Sequence, residues 1–232
     1  MAIALDSSTP AAVWGTANTV TTGSFSPPAG SFLLVFAEGD ENTTSFTVTN
    51  TGGLTFTGID TLLTASGSAT NSLASWWAYT AAAPGSMTVS IARVNGSSFN
   101  ANAVKVLVFT GTETSFTGAH GTASSNTKTL TGTQNNSWFW AAIGDNNGST
   151  TDAAGTGCSW NDAETGFGGI SGGILKRTSQ DGVNGSGTTM SAGSAPSNMS
   201  IAMVEIKAAG AAPATPRPKL NLQQAIVRAS TR

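Results

Sequence analysis

Short hydrophobic segments recur about every ten to twenty residues through the first two hundred positions, separated by clusters of Gly, Pro and Asn. This spacing is typical of β-strands joined by tight turns. Apolar and polar residues alternate along 87–91, which predicts a strand with one buried face. The continuously apolar 31–37 and 104–109 predict central strands covered on both faces. The predicted strands are 20–25, 31–37, 45–49, 54–63, 73–80, 87–93, 103–110, 138–143, 170–177 and 199–207.

No segment before Ala208 keeps the helical apolar period of about 3.6 residues, because Gly or β-branched residues interrupt every candidate. The 232 residues are enough for one β domain, or two small ones, with a substantial core. We therefore predict an all-β body with a jelly-roll-like two-sheet β-sandwich fold, followed by an extended C-terminal tail.

A weak internal similarity accompanies this pattern. Gly39-Asp-Glu-Asn42 follows one hydrophobic strand, and Gly144-Asp-Asn-Asn147 follows another about 105 residues later. The segments 104–111 and 203–210 are also alike, since each is an apolar strand that runs into a Gly. Two explanations stay open: a duplicated half-sandwich, or equivalent turn chemistry at unrelated strand ends, which is the simpler one.

The composition changes at Ala208 and divides the chain into three parts. The β-sandwich domain is predicted over 1–207, an Ala/Pro-rich linker over 208–218, and a basic segment over 219–232. The first part has six basic residues against twelve acidic ones, net −6, whereas the rest has four basic residues and no acid, net +4. Charged residues form only 9% of the chain, against roughly 25% in ordinary soluble domains.

The basic segment has the pattern of a docking element. Three prolines stiffen the linker, which spans about 30 Å at about 3.1 Å per residue. Asn221 is placed to cap a short amphipathic helix that is stable only when docked in a groove. Its predicted partner-docking residues are Leu220, Leu222, Ile226, Val227, Arg228 and Arg232. A frayed tail is the alternative, and docking on the acidic body of a neighbouring copy would make a homo-oligomer.

The residue types that carry catalysis are scarce. Cys158 is the one cysteine, which excludes an intramolecular disulfide, and His120 is the one histidine, flanked by Gly in a predicted loop. No Gly-rich phosphate loop is present. The sequence therefore predicts no catalytic residues, no enzymatic activity and no cofactor.

The acidic loop 38–42 is the best candidate for a cation site. Asp40 and Glu41 offer the hard oxygen ligands that Ca²⁺ prefers. The same residues also occur in Asx-rich turns without metal, so calcium is a weak candidate here. With net −6 and no basic stripe, the body is not expected to bind nucleic acid.

Tryptophan is the other candidate for a binding role. The adjacent Trp76 and Trp77 must point to opposite faces of a strand, so one is a candidate for stacking on a host-surface glycan. Core packing is the alternative, because a Gly/Ser-rich sandwich needs bulky residues inside. No apolar run approaches the ~18 residues of a membrane-spanning helix, and 1–10 lack the features of a signal peptide, so we expect no membrane insertion.

Several strand-and-turn segments resemble a known family. Phe25-Ser-Pro-Pro-Ala-Gly-Ser-Phe-Leu-Leu-Val35, Trp76-Trp-Ala-Tyr-Thr-Ala-Ala-Ala-Pro-Gly-Ser-Met-Thr-Val89, 104–111 and 203–206 resemble β-sandwich modules in virion proteins of phages that infect actinobacteria, commonly labelled minor tail proteins, and in some bacterial surface proteins. The resemblance covers nearly all of 1–207 and includes no catalytic motif.

The resemblance implies a non-enzymatic virion protein assembled in the host cytoplasm. We expect a minor tail protein displayed on the particle, anchored through its C-terminal segment to other virion proteins, and homo-oligomeric. The alternatives are a capsid decoration or head-fibre protein, and a carbohydrate-binding module for host-surface glycans.

Overall fold

The computed structural model describes residues 2–39, 43–63, 71–95, 102–145, 153–167, 170–192 and 199–210. These ranges contain sixteen β-strands and no helix. Every pairing between the named strands is antiparallel. The predicted all-β fold is therefore confirmed.

The first nine strands form what we call the first half of the molecule. They are β1 (Ala4–Leu5), β2 (Val13–Gly15), β3 (Thr19–Thr21), β4 (Ser31–Gly39), β5 (Thr43–Asn50), β6 (Thr57–Leu62), β7 (Ser72–Thr80), β8 (Val89–Asn95) and β9 (Asn102–Thr110). The first inner sheet has the order β1-β9-β4-β7-β6, with β2 also paired to β9. The first outer sheet has the order β3-β8-β5.

The remaining strands form the second half. They are β10 (His120–Ala123), β11 (Thr127–Thr131), β12 (Trp138–Asp145), β13 (Cys158–Phe167), β14 (Ile170–Arg177), β15 (Gly187–Ser191) and β16 (Met199–Ile206). The second inner sheet has the order β10-β16-β12-β14-β13, and the second outer sheet pairs β11 with β15. A single bridge between Ala154 and Ala192 lies beside β15, where the first half has β5.

The two halves have the same topology. When β2–β9 of the first half are numbered one to eight, the inner sheet has the order 1-8-3-6-5 and the outer sheet begins 2-7. The second half has the same orders when β10, β11 and β12 are numbered one to three, Ala154 takes the place of strand four, and β13–β16 are numbered five to eight. This is a jelly-roll order with its fifth strand moved to the inner sheet. The predicted jelly-roll-like sandwich is confirmed, and the structure contains it twice.

Three hydrophobic clusters separate the four sheets. The first outer sheet packs on the first inner sheet around Val35 and Ile91, and the second outer sheet packs on the second inner sheet around Phe139 and Met203. The central cluster joins the two inner sheets; among its largest members are Phe36, Phe109 and Trp140. Strand β4 is buried along its whole length, as its continuously apolar sequence predicts.

The repeat has a definite register. A β-bulge precedes Asp60 in the β6–β7 pair, and another precedes Asp162 in the β13–β14 pair. When the two bulges are superimposed and the strand pairings are followed to β4 and β12, Glu38 and Gly144 occupy equivalent positions in the two halves. Gly39 and Gly144, which look alike in sequence, face different layers: a Cβ on Gly39 would meet Phe46 of the outer sheet, and one on Gly144 would meet Glu38 of the opposite half.

Candidate functional site

A cleft of about 300 Å³, its open mouth included, lies at one rim of the contact between the two inner sheets. Strands β2, β4 and β9 of the first half form one wall, and β12, β13 and β14 of the second half form the other. Small residues line this cleft. They are Ala12, Ala37, Ala103, Ala142 and Gly173.

An ion pair joins the two halves at this cleft. Lys105 alternates along β9 with residues that face the outer sheet, so its side chain enters the contact between the inner sheets. Its Nζ lies 2.7 Å from Oδ2 of Asp162 and donates a hydrogen bond of 2.8 Å to the carbonyl oxygen of Pro10. The Lys105 side chain is 6% exposed and that of Asp162 is 27% exposed. The pair therefore places two compensated charges in the cleft, with the carboxylate nearer to water.

Asp162 reaches this position because of its bulge. The irregularity between Trp160 and Asp162 shifts the register of β13 against β14 by one residue. Such a shift changes which face of the sheet a residue lies on. Asn161 Nδ2 also donates a hydrogen bond of 2.5 Å to Asp162 Oδ2. Lys105 and Asn161 therefore share one oxygen of this carboxylate.

Glu38 lines the same cleft and is almost completely buried. Its carboxylate lies against the directly paired Gly144 and Gly172, where Cβ atoms would come within 2.8 Å and 2.9 Å of its oxygens. Asn71 Nδ2 donates a hydrogen bond of 2.6 Å to Oε1. The first half thus inserts a carboxyl group into a notch made by two glycines of the second half.

The surroundings of Glu38 change its acidity. Burial raises the pKa of the Glu38 carboxyl well above its ordinary value; the hydrogen bond from Asn71 opposes this rise, and the negative charge of Asp145 adds to it. The sequence placed Glu38 in an acidic loop, but β4 continues through Gly39 and Glu38 lies inside the strand. That part of the loop prediction was wrong, because β4 continues two residues beyond the apolar run.

Trp14 forms the aromatic wall of the cleft. It lies on β2, paired with Ala103 of β9, and is half-buried. Its neighbour Val13 packs on the cluster beneath the outer sheet, so the indole lies on the opposite face, toward the second half. The cleft therefore combines an indole, small apolar side chains and one ion pair.

The other rim carries a related pair. Asp60 Oδ2 lies 2.8 Å from Nδ1 of His120, and the two side chains are 20% and 42% exposed. His120 begins β10, opposite Val204, so its prediction as a loop residue was wrong. Its ring also lies 5.5 Å, centroid to centroid, from that of Phe116.

Trp76 and Trp77 point to opposite faces of β7. Trp76 packs toward the first outer sheet, with its ring edge-on to Phe46 at 6.4 Å. Trp77 packs on the central cluster and stacks on Phe32 at 5.7 Å, with the ring planes 4° apart. Both indoles are half-buried, so each already uses one face in packing. Their stacking on a glycan stays a prediction.

A second, shallow depression lies near the point where the described chain ends. Phe32, Phe116 and Ile206 supply its apolar lining. Beneath it, Glu205 is fully buried and accepts hydrogen bonds from five groups. They are the backbone N–H groups of Ala119, Thr133 and Gln134 and the hydroxyls of Thr133 and Ser137.

These bonds decide the acidity of Glu205. Burial acts to raise the pKa of its carboxyl, but the hydrogen bonds from Ala119, Ser137 and Thr133 outweigh burial and lower the pKa below its usual value. Glu205 is therefore an ionised group that fixes two loops around the end of β16.

Several predicted residues lie outside the described part of the chain. These are the calcium candidates Asp40 and Glu41 and the docking residues Leu220, Leu222, Ile226, Val227, Arg228 and Arg232. Within the described ranges, no group of three or more His, Cys, Asp or Glu residues is placed to hold a metal ion. The described ranges also include no helix with the length and apolar character to cross a membrane. Cys158 is a half-buried free thiol beside the core of the second half.

Sequence reasoning missed the cleft, although two of its residues leave a signal. Lys105 is a lone charge within the apolar stretch 104–109, and Glu38 directly follows the apolar stretch 31–37. A charge at a central-strand position needs a buried partner. Nothing in the sequence identifies Asp162 as the partner of Lys105 or places Trp14 beside them.

Comparison with known proteins adds no identification. No protein-family model matches the chain, and neither a curated protein nor a solved structure does.

Proposed function

We propose that this protein is a non-enzymatic structural component of a phage virion, most specifically a minor tail protein. In this proposal the double jelly roll is displayed on the particle, and residues 211–232 attach it to other virion proteins. The resemblance of the strand-and-turn segments supports the virion family, and the structure of the described body supports the orientation of the protein on the particle.

The observation that carries the proposal is the separation of the two ends of the sandwich. Strand β16 begins at Met199, beside Asp145, and ends at Ile206, beside Trp138. Eight residues of strand span about 23 Å. Glu38 and the glycine notch lie at the first end, and the chain leaves the body at the second. An attachment at the C-terminus would therefore leave the Glu38 end directed away from the particle.

The point of departure is fixed to the body. Ala208 bridges to Thr112, Ala209 donates a backbone hydrogen bond of 2.8 Å to Gly111, and Gln134 Nε2 donates one of 3.2 Å to the carbonyl oxygen of Ala208. The first residues of the predicted linker are therefore held by the connection between the two halves and by the second half. Whatever binds the later residues would receive the body in a restricted orientation.

The attachment is tested by truncation after Gly210, which keeps all of these bonds. We expect the truncated chain to melt within a few degrees of the full chain. When it replaces the full chain during phage assembly, it should be absent from the purified particles. A matched pair of full-length variants refines the test. Leu222→Ser with Ile226→Ser should lose incorporation, whereas Gln223→Ser with Gln224→Ser should keep it. Normal incorporation of the truncated chain would refute the attachment.

Copy number separates the tail from the alternative location on the capsid. Quantitative mass spectrometry of purified particles should give a few to a few tens of copies for a tail protein. Hundreds of copies would instead identify a capsid decoration or head-fibre protein, with the same C-terminal attachment. Labelling with an antibody against the body then locates it in electron micrographs.

A further inference from the structure

We propose that Lys105 and Asp162 form an isopeptide bond between the two jelly rolls: the side-chain amine of Lys105 condenses with the carboxyl of Asp162, and one water is released. The bond cross-links β9 of the first half to β13 of the second. It does not depend on the C-terminal attachment, so the two proposals can fail separately.

The reacting atoms are already close together. Lys105 Nζ lies 2.7 Å from Asp162 Oδ2. Because a carboxyl C–O bond adds at most about 1.3 Å, the carboxyl carbon is within about 4 Å of Nζ, and reacting atoms in near-attack arrangements are about 3–3.5 Å apart. Nζ also donates to the carbonyl oxygen of Pro10, and Asn161 donates to Oδ2, so both side chains are held in place. An amine and a carboxyl fixed in one folded body need no encounter, which strongly favours their condensation.

The cleft around the pair favours the neutral reactants. It has room for about one water molecule, and its exposed surface is almost wholly apolar. The Lys105 side chain is only 6% exposed, so water solvates its ammonium group poorly. Poor solvation lowers the cost of moving a proton from Nζ to Oδ2 along their hydrogen bond. This transfer produces the amine and the carboxylic acid, which are the two groups that react.

The step is balanced without a co-reactant. The lone pair of the Lys105 amine forms the new bond to Cγ of Asp162, and the bond from Cγ to one carboxyl oxygen breaks. That oxygen leaves as water. One of its hydrogens is the proton first transferred from the ammonium, and the other is lost by the nitrogen as the amide forms. The amide keeps one N–H, which can still donate to Pro10.

Glu38 is placed to carry protons in this step. Phe36 is paired with Lys105 and Glu38 with Ala103, so Glu38 and Lys105 are diagonal neighbours on one face of the first inner sheet. Both line the cleft. Burial raises the pKa of the Glu38 carboxyl, which favours its protonated form. That form can donate to the leaving oxygen, directly or through one water, and then take up the proton that the nitrogen loses.

The cross-link restricts how the molecule comes apart. It closes a loop of about 57 residues between β9 and β13, which limits the freedom of the unfolded chain as a disulfide does. Unlike a disulfide, an amide is not broken by reducing agents. The ion pair is the state before this step, so the stability of the pair itself is measured on chain of unchanged mass.

Mass spectrometry of the purified full chain tests the proposal. The denatured chain should be lighter than its sequence mass by about 18 Da, the mass of one water. Tryptic digestion should yield one branched peptide that joins 94–128, uncut at Lys105, to 129–176. An unchanged mass in chain that has stayed folded for days would overturn the proposal. The same mass loss with these peptides unjoined would also overturn it, since dehydration of Asp181 before Gly182 releases one water too.

Variants assign the loss of water to this pair. Lys105→Met and Asp162→Ala should each keep the full mass. Lys207→Met is the matched control and should still lose one water, because Lys207 also lies beside a carboxylate, 3.5 Å from Glu113. In a time course after cell-free synthesis, Glu38→Gln should lose water roughly tenfold more slowly and reach the same final mass. An unchanged rate would refute the role of Glu38, and a loss of water that survives Lys105→Met would overturn the bond.

Discussion

Asp60 and Asp162 occupy equivalent positions in the two jelly rolls, each directly after a β-bulge, and each carboxylate contacts a basic side chain of the opposite half. The partners differ: His120 for Asp60 and Lys105 for Asp162. The halves therefore meet like the subunits of a two-fold dimer, with an apolar centre and a pair of an Asp and a basic side chain at each rim.

The two members of the Lys105–Asp162 pair differ in their access to water, which gives a first prediction. Asp162→Asn leaves the Lys105 charge buried without the opposite charge of its partner, whereas Lys105→Met leaves a carboxylate that water still reaches. We expect Asp162→Asn to lower the free energy of unfolding by about 2–3 kcal/mol, somewhat below the cost of breaking a fully buried pair. Urea denaturation should show a smaller loss for Lys105→Met. An equal loss in both variants would contradict this reasoning.

The equivalent pair at the other rim provides the comparison and a second prediction. Asp60→Asn breaks a pair in which the histidine is exposed, so its effect should stay within about 1 kcal/mol. The same urea denaturation measures it. A loss as large as that of Asp162→Asn would mean that burial is not what distinguishes the two rims.

Glu38 gives a third prediction, on pH. Because its folded pKa is raised, the folded state binds the proton more tightly than the unfolded state, so this group lowers stability as pH rises from the unfolded value of about 4.3 through the folded pKa. Glu38→Gln removes the ionisation. We expect the variant to be more stable than the parent at pH 8 by about 1–3 kcal/mol, the usual cost of a buried polar group without full compensation.

Thermal melts across pH test this prediction. The difference between Glu38→Gln and the parent should shrink toward about pH 3, where the parent carboxyl is protonated in both states. A variant that is destabilised at every pH would show that the carboxylate, not its neutral form, holds the glycine notch.

The notch itself gives a fourth prediction. A methyl group on Gly172 would lie 2.3 Å from the carbonyl oxygen of Ile143 and 2.9 Å from Glu38 Oε2. We expect Gly172→Ala to cost about 1–3 kcal/mol, because the backbone of β12 must shift. Gly23→Ala is the control, since a Cβ there meets nothing within 4 Å. The control should be neutral or stabilise by about 0.4–1 kcal/mol, and equal melting temperatures for the two variants would refute the close contact.

Glu205 gives a fifth prediction, in which its contribution to stability is lost as pH falls. Its folded pKa is lowered, so its contribution is complete above the unfolded pKa of about 4.3 and is lost as pH falls through the folded pKa. Glu205→Gln should lower the free energy of unfolding at pH 7 by about 3 kcal/mol, since its donor groups lose a charged acceptor. The loss between pH 5 and pH 2 should be smaller in the variant than in the parent. Identical acid sensitivity would assign the effect to other carboxyls.

Several segments show which structural features follow from the sequence alone. The continuously apolar 31–37 and 104–109 correctly predicted buried strands, and the alternation along 87–91 correctly predicted which residues share the buried face, although β8 begins only at Val89. The composition break at Ala208 also lies within two residues of the last described bonds to the body. The internal similarity near Gly39 and Gly144 left a duplicated half-sandwich open beside the simpler explanation of equivalent turns, and its spacing of about 105 residues matches positions that face different layers.

The sequence by itself determined the main strands, their inward faces and the low charge content of the body, because these follow from a local period of two and from composition. Only the tertiary structure decided that Lys105 meets Asp162, that Glu38 enters the Gly144–Gly172 notch, and that Trp14 borders a cleft. The physical reason is that alternation along a strand determines only which side chains lie on the same face of a sheet. Which second sheet covers them, and in what register, depends on long-range packing between strands far apart in the chain.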